Sequence, residues 1–136
     1  MCTDSKASAI LLMHCPDKRG IIAVVSEFIC KNNGNIIFLD QHVDEVTGAF
    51  FMRIEWDLAE FVIPREKIGE YFDVLIGQRY QMEWELHFSS EIPRMALFVS
   101  KLPHCLFDIL ARWKSQEIRA EIPLIVSNHQ NLEPVA

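Results

Sequence analysis

The sequence predicts an α+β protein, a ferredoxin-like βαββαβ unit followed by an incomplete βαβ of a doubly wound α/β domain. Three observations carry that prediction. Tyr80 to Phe88 alternates apolar and polar residues without error, the mark of a strand with one wet face. Apolar stripes at helical spacing lie between strand-like runs upstream of it, and past Pro93 the pattern changes to short apolar strands around a single helix. The first domain is accordingly assigned to residues 1–92 and the second to residues 93–136.

In chain order, Ala7 to Cys15 is a nearly continuous apolar run, as expected of a centrally placed strand. After the turn Pro16-Asp17-Lys18-Arg19-Gly20, the residues Ile21, Ile22, Val25, Phe28 and Ile29 recur at helical spacing. They stop at Lys31-Asn32-Asn33-Gly34, a basic last turn with a glycine cap. Asn35 to Glu45 and Ala49 to Asp57 are β-rich and joined by Val46-Thr47-Gly48, a short hairpin loop. Pro64 suits a first helical turn, and Ile68, Tyr71, Phe72, Leu75 and Ile76 place an apolar stripe on a second helix. The fourth strand is read from Tyr80, with Met82, Trp84, Leu86 and Phe88 inward. Past Pro93, strands Met95 to Val99 and Ile122 to Val126 flank a helix from His104 to Lys114, with Leu106, Ile109, Leu110 and Trp113 inward. Parallel strands are normally covered on both faces and one helix covers only one, so the second domain is expected to be cut short.

Composition narrows the function classes. Half of the 136 residues are apolar and 24% are charged, which excludes intrinsic disorder. A net charge of −6 supplies no field for nucleic acid or an anionic membrane, and the acidic excess is confined to the stretch before Pro93. Cys2, Cys15, Cys30 and Cys105 lack CxxC spacing and the density of a disulfide scaffold, so reduced thiols are expected. The apolar runs fall far below the ~20 residues that span a bilayer. A soluble cytoplasmic chain without nucleic-acid or membrane partners is the expectation.

The five glycines are scattered, with no Rossmann or Walker spacing and no HExxH, which disfavours nucleotide and metal sites. His104 and Cys105 are adjacent on a helix, so their side chains diverge by roughly 100° rather than meeting as base and nucleophile. Cys15 precedes a helix whose positive end can lower a thiol pKa, but the plain reading, an apolar Cys ending a buried strand, is preferred. Asp17, Gly20 and Asn35 form the candidate effector site. Asp17 is expected to cap the first helix, Gly20 to admit close backbone approach, and Asn35 to start the next strand beside them, where unpaired amides favour a carboxylate. Ordinary turn chemistry explains the same three residues, and the sequence leaves both readings open. Ser100, Lys101 and His104 lie between a strand end and a helix start, where doubly wound sheets bind ligands, and without glycines they make a weak anion or substrate-loop candidate.

Several segments bear a family resemblance. Cys15-Pro16-Asp17-Lys18-Arg19-Gly20-Ile21-Ile22, Asn32-Asn33-Gly34-Asn35-Ile36-Ile37, Leu39-Asp40-Gln41-His42-Val43-Asp44 and Phe50-Phe51-Met52-Arg53 resemble bacterial formyltetrahydrofolate deformylase. So do Pro93-Arg94-Met95-Ala96, Val99-Ser100-Lys101, His104-Cys105-Leu106 and Glu121-Ile122-Pro123-Leu124-Ile125-Val126-Ser127-Asn128-His129. The resemblance implies an N-terminal ACT domain, a small regulatory module, followed by a formyltransferase-like domain that hydrolyses 10-formyltetrahydrofolate to tetrahydrofolate and formate. That reaction would supply formate for purine synthesis and balance the one-carbon folate pool. The family's catalytic Asn, His and Asp have no counterparts here, so no catalytic residue is carried over and the chain alone is expected to be inactive. No cofactor is expected in this chain; the resemblance implies 10-formyltetrahydrofolate as the intact family's substrate. A homo-oligomer, dimer or tetramer, is expected, associating through sheet edges or the uncovered apolar strands near the end of the chain. The resemblance makes methionine and glycine the effectors to expect. A free-standing ACT-type amino-acid-binding regulator is the alternative.

Overall fold

A computed structural model describes residues 6–135, so Cys2 lies outside the described residues. The chain divides into two compact units between Ser90 and Glu91. In the first, β1 (Ser8–Pro16), α1 (Ile21–Lys31), β2 (Asn35–Asp44), β3 (Ala49–Asp57), α2 (Ile68–Phe72) and β4 (Glu83–Phe88) follow one another. The four strands form one antiparallel sheet in the order β2-β3-β1-β4, with both helical segments packed on one face. This is the ferredoxin-like arrangement.

Alternation sorts the side chains between the two faces. Leu11, Met13, Phe50, Met52, Ile54 and Trp56 turn inward and are buried against Ile21, Val25, Phe28 and Ile29 of α1 and Ile68 and Phe72 of α2. Register pins the opposite, open face into cross-strand rows. One row runs His42, Phe51, His14, Glu83, and the next Asp40, Arg53, Leu12, Glu85.

Three local expectations are corrected. The alternating run from Tyr80 is strand only from Glu83, because Gln81 takes φ 53° and the amides of Tyr80 and Met82 bond back to the carbonyls of Ile76 and Gly77. Gly34 is not the left-handed cap of α1; Asn33 takes that conformation, with φ 65°. Gly34 is required for space, since a Cβ there would lie 2.6 Å from Ile29 Cγ2. The second helix is not regular: a 3₁₀ turn (Arg65–Lys67) leads into α2, which runs on into a π-helical turn (Asp73–Gly77).

In the second unit, β5 (Arg94–Val99) and β6 (Glu121–Ser127) pair in parallel around α3 (His104–Lys114), the opening of a doubly wound sheet. Leu97 and Leu106 are buried together with Leu132, and the Trp113 Nε1 donates to the Ala120 carbonyl at 2.7 Å. Ala96, Phe98, Leu124 and Val126 lie on the other face and are exposed.

Candidate functional site

The β2–β3 hairpin builds the site at the start of α1. Asp44 accepts from the Val46 amide at 2.9 Å and the Thr47 hydroxyl at 2.7 Å, which closes the turn and holds its carboxyl below the usual range, the Thr47 bond contributing most. Gly48, at φ 68°, then offers its carbonyl to the Asp17 amide at 2.9 Å and so fixes the β1–α1 turn.

Asp17 does not cap α1. The cap position is Gly20, at φ 86°, and no side chain bonds the first turn. The amides of Ile21, Ile22 and Ala23 belong to that first turn, which leaves them without partners inside the helix. They border a cleft of about 520 Å³ lined also by Asp17, Lys18, Gly20, Gln41, Val43 and Phe50. The cleft thus combines helix-start amides, a cation, a carboxylate, an amide side chain and an apolar floor. Gln41 was missed by the sequence reading. It pairs with Met52, on the core-facing row of β2 between Leu39 and Val43, and a polar residue interrupting that apolar row was the available signal.

Asn35 is not brought to this cleft. Register places it opposite Asp57, which pairs with Ser8, at the far end of the sheet from Pro16, Ala49 and Asp44. Strand rise puts about 30 Å between the two ends of β2. Within one chain, therefore, the start of β2 and the start of α1 do not meet.

Cys15 is buried, and burial first, then the Asp17 charge, pushes its thiol up, in keeping with an apolar Cys that ends a buried strand rather than a thiol activated by α1. Ser100, Lys101 and His104 are exposed around Pro103, the cap position of α3, and the Lys101 carbonyl accepts a 3.4 Å bond from Asn131. His104 and Cys105 are both exposed on α3. On the open sheet face His14 approaches Glu83 at 3.3 Å and His87 approaches Glu85 at 3.2 Å, while Arg53 contacts Glu55 at 3.1 Å and stacks on Phe38. Among the described residues no group of three or more His, Cys, Asp or Glu is placed to hold a metal ion, and no helix is long and apolar enough to cross a membrane.

The sheet order and the helix layer give the first unit a ferredoxin-like fold, shared with an ACT domain protein from Streptococcus pneumoniae that superposes with a TM-score of 0.54, covering 62% of this chain and 92% of that one at 24% identity. The sequence relatives are more specific. The chain is 48% identical over 129 residues to formyltetrahydrofolate deformylase of Synechocystis, an alignment covering 95% of this chain and 45% of that protein. The crystal structure of a formyltetrahydrofolate deformylase from Pseudomonas syringae pv. tomato matches with a TM-score of 0.84 at 33% identity, covering 98% of this chain and 45% of that one. The chain is thus homologous to formyltetrahydrofolate deformylases along nearly its whole length, while spanning less than half the length of these relatives. No protein-family model matches it.

Proposed function

We propose that this chain is the effector-sensing part of a cytoplasmic formyltetrahydrofolate deformylase, the hydrolase that converts 10-formyltetrahydrofolate to tetrahydrofolate and formate, the formate serving purine synthesis. The observation that carries this reading is similarity over 95% of the chain to a protein of which it spans only 45%. Formyl hydrolysis requires an acid/base held against the reacting carbonyl and a donor aimed at the developing oxyanion. The histidine–carboxylate pairs described above lie exposed on the open sheet face, where water competes for both functions. The purified chain is expected to leave 10-formyltetrahydrofolate intact, and turnover above a buffer blank would contradict that division of labour.

The regulatory role rests on the cleft at the start of α1. An amino acid needs a site for a carboxylate and another for an ammonium group. The first-turn amides with Lys18 suit the carboxylate, and the Asp17 carboxylate with the Gln41 side-chain oxygen suits the ammonium. Val43 and Phe50 offer an apolar surface to a side chain such as that of methionine; glycine fits the same polar groups without using it. Asn35 takes part only when supplied by a second copy in a dimer or tetramer. The alternative, a free-standing amino-acid-binding regulator, is favoured by the first unit having the complete ACT fold with its own core.

A further inference from the structure

The chain leaves the first unit through Phe88, Ser89 and Ser90, and all three are tied down. Past the last β1–β4 pair, Ala9 with Phe88, the ladder gains one more rung that is half side chain. The Ser89 amide donates to the Ser8 carbonyl at 3.0 Å, while the Ser8 amide donates to the Ser89 hydroxyl, instead of a carbonyl, at 2.9 Å. A side-chain acceptor in that rung lets the backbone turn away without orphaning the Ser8 amide. Ser8 is 3% exposed, and its hydroxyl donates onward to Glu55 Oε1 at 2.6 Å, which anchors the rung to β3.

From the helix layer the tie is Arg65, the first residue of the 3₁₀ turn that leads into α2. Its guanidinium lies 3.9 Å from the centre of the Phe88 ring, and its Nη1 donates to the Ser90 hydroxyl at 2.9 Å. A planar guanidinium stacks through its face while donating in its plane, so one side chain holds two residues of the exit at once; an ammonium group has no such plane. The two ties differ in strength. The Ser8–Ser89 rung is part-buried and continues a ladder, whereas the Arg65–Ser90 bond is exposed, where water competes for both partners, so Arg65 lets go first.

We infer that Arg65 is a latch on the exit of the first unit, closed when it stacks on Phe88 and holds Ser90, and open when the 65–77 segment shifts and withdraws it. Opening frees Ser90 and the residues that follow while the Ser8–Ser89 rung keeps β4 in register, so a displacement of the helix layer is passed to the outgoing chain without unfolding the sheet. This device does not depend on the deformylase reading, and its test involves no folate or effector.

The test is limited proteolysis of the full chain with a glutamyl endopeptidase, following by mass spectrometry the fragment that ends at Glu91. Cleavage there needs the neighbouring residues released into an extended form, so its rate reports how often the latch is open. Arg65→Ala raises that rate about tenfold and Ser90→Ala about threefold, and the double variant is cut no faster than Arg65→Ala, because both changes remove one tie. Arg65→Lys, which keeps the charge and loses the planar fork, stays close to Arg65→Ala. Lys67→Ala, whose ion pair with Glu70 lies within the helical segment, leaves the rate unchanged. Urea midpoints of the Arg65 and Ser90 variants stay at the wild-type value, whereas Ser89→Ala, which orphans the Ser8 amide, lowers it. An unchanged rate in Arg65→Ala, effects of Arg65→Ala and Ser90→Ala that multiply in the double variant, full rescue by Arg65→Lys, or an acceleration matched by a fall in the urea midpoint would each overturn the inference.

Discussion

The indole Nε1 of Trp84 donates to Asp73 Oδ1 at 3.0 Å, joining β4 to the π-helical turn that ends the second helical segment. Two glycines make the approach possible. A Cβ at Gly69 would stand 3.1 Å from the end of the Trp84 ring, and one at Gly77 would stand 2.7 Å from Asp73 Oδ1 and 3.0 Å from Trp84 Nε1. Here the sheet reaches the helix layer through a polar contact, with the ring edge-on to Phe72 at 5.5 Å between centroids.

Gly77→Ala reports on that contact. In an unconstrained helix the change would stabilise by about 1 kcal/mol. Here the new methyl group displaces the Asp73–Trp84 bond, so a net loss of about 1–2 kcal/mol is expected from urea unfolding.

Asp73 gives the same contact a pH signature. Hydrogen bonds from Trp84 first and Gln78 second hold its carboxyl below the ordinary value of 3.8. A depressed folded-state pKa means that the unfolded chain takes up the proton more readily, so the contribution is present above pH 3.8 and is lost as pH falls through the lower folded value. Wild type should unfold at a higher temperature than Asp73→Asn near neutral pH, and the two midpoints should converge as the pH is taken below that value.

How much of this was readable in the sequence differs from residue to residue. The sheet and α1 were legible because alternation and helical spacing are local signals, and Val46-Thr47-Gly48 announced its hairpin. The start of β4 was not, since Tyr80 and Met82 carry the alternation upstream of Glu83 through a backbone that still turns at Gln81. The π turn was hidden because it depends on Trp84 meeting Gly69 and Gly77, a tertiary contact. At the candidate cleft, turn chemistry singled out Asp17 and Gly20, although Gly20 and not Asp17 holds the cap position of α1. Asn35 was placed beside them because the end of α1 and the start of β2 adjoin in sequence, whereas register alone reveals which end of the sheet each occupies.

The two other conformationally critical glycines should respond differently. Gly34→Ala drives a methyl group into Ile29 and within 3.0 Å of the Phe61 ring, and a loss of about 2–3 kcal/mol is expected. A methyl group added at Gly20 would meet no heavy atom within 4 Å, so Gly20→Ala costs only the left-handed backbone, about 1 kcal/mol. Denaturant midpoints of the two variants measure the ordering.

Thiol labelling separates the cysteines. Cys30 and Cys105 are exposed, whereas Cys15 is buried with its thiol pushed up. Iodoacetamide at pH 8 followed by peptide mass spectrometry should modify Cys30 and Cys105 within minutes and Cys15 only when denaturant is added. Prompt modification of Cys15 would mean that the β1–α1 turn opens in the native state.

Calorimetric titration of the full chain with methionine, and with glycine in parallel, tests most directly whether the cleft at the start of α1 is an effector site. Binding of at least one of the two is expected in wild type, and Asp17→Ala should weaken it about tenfold or more by removing the partner of the ammonium group. Absence of heat with either amino acid at millimolar concentration, or binding that Asp17→Ala leaves unchanged, would contradict the assignment of this cleft.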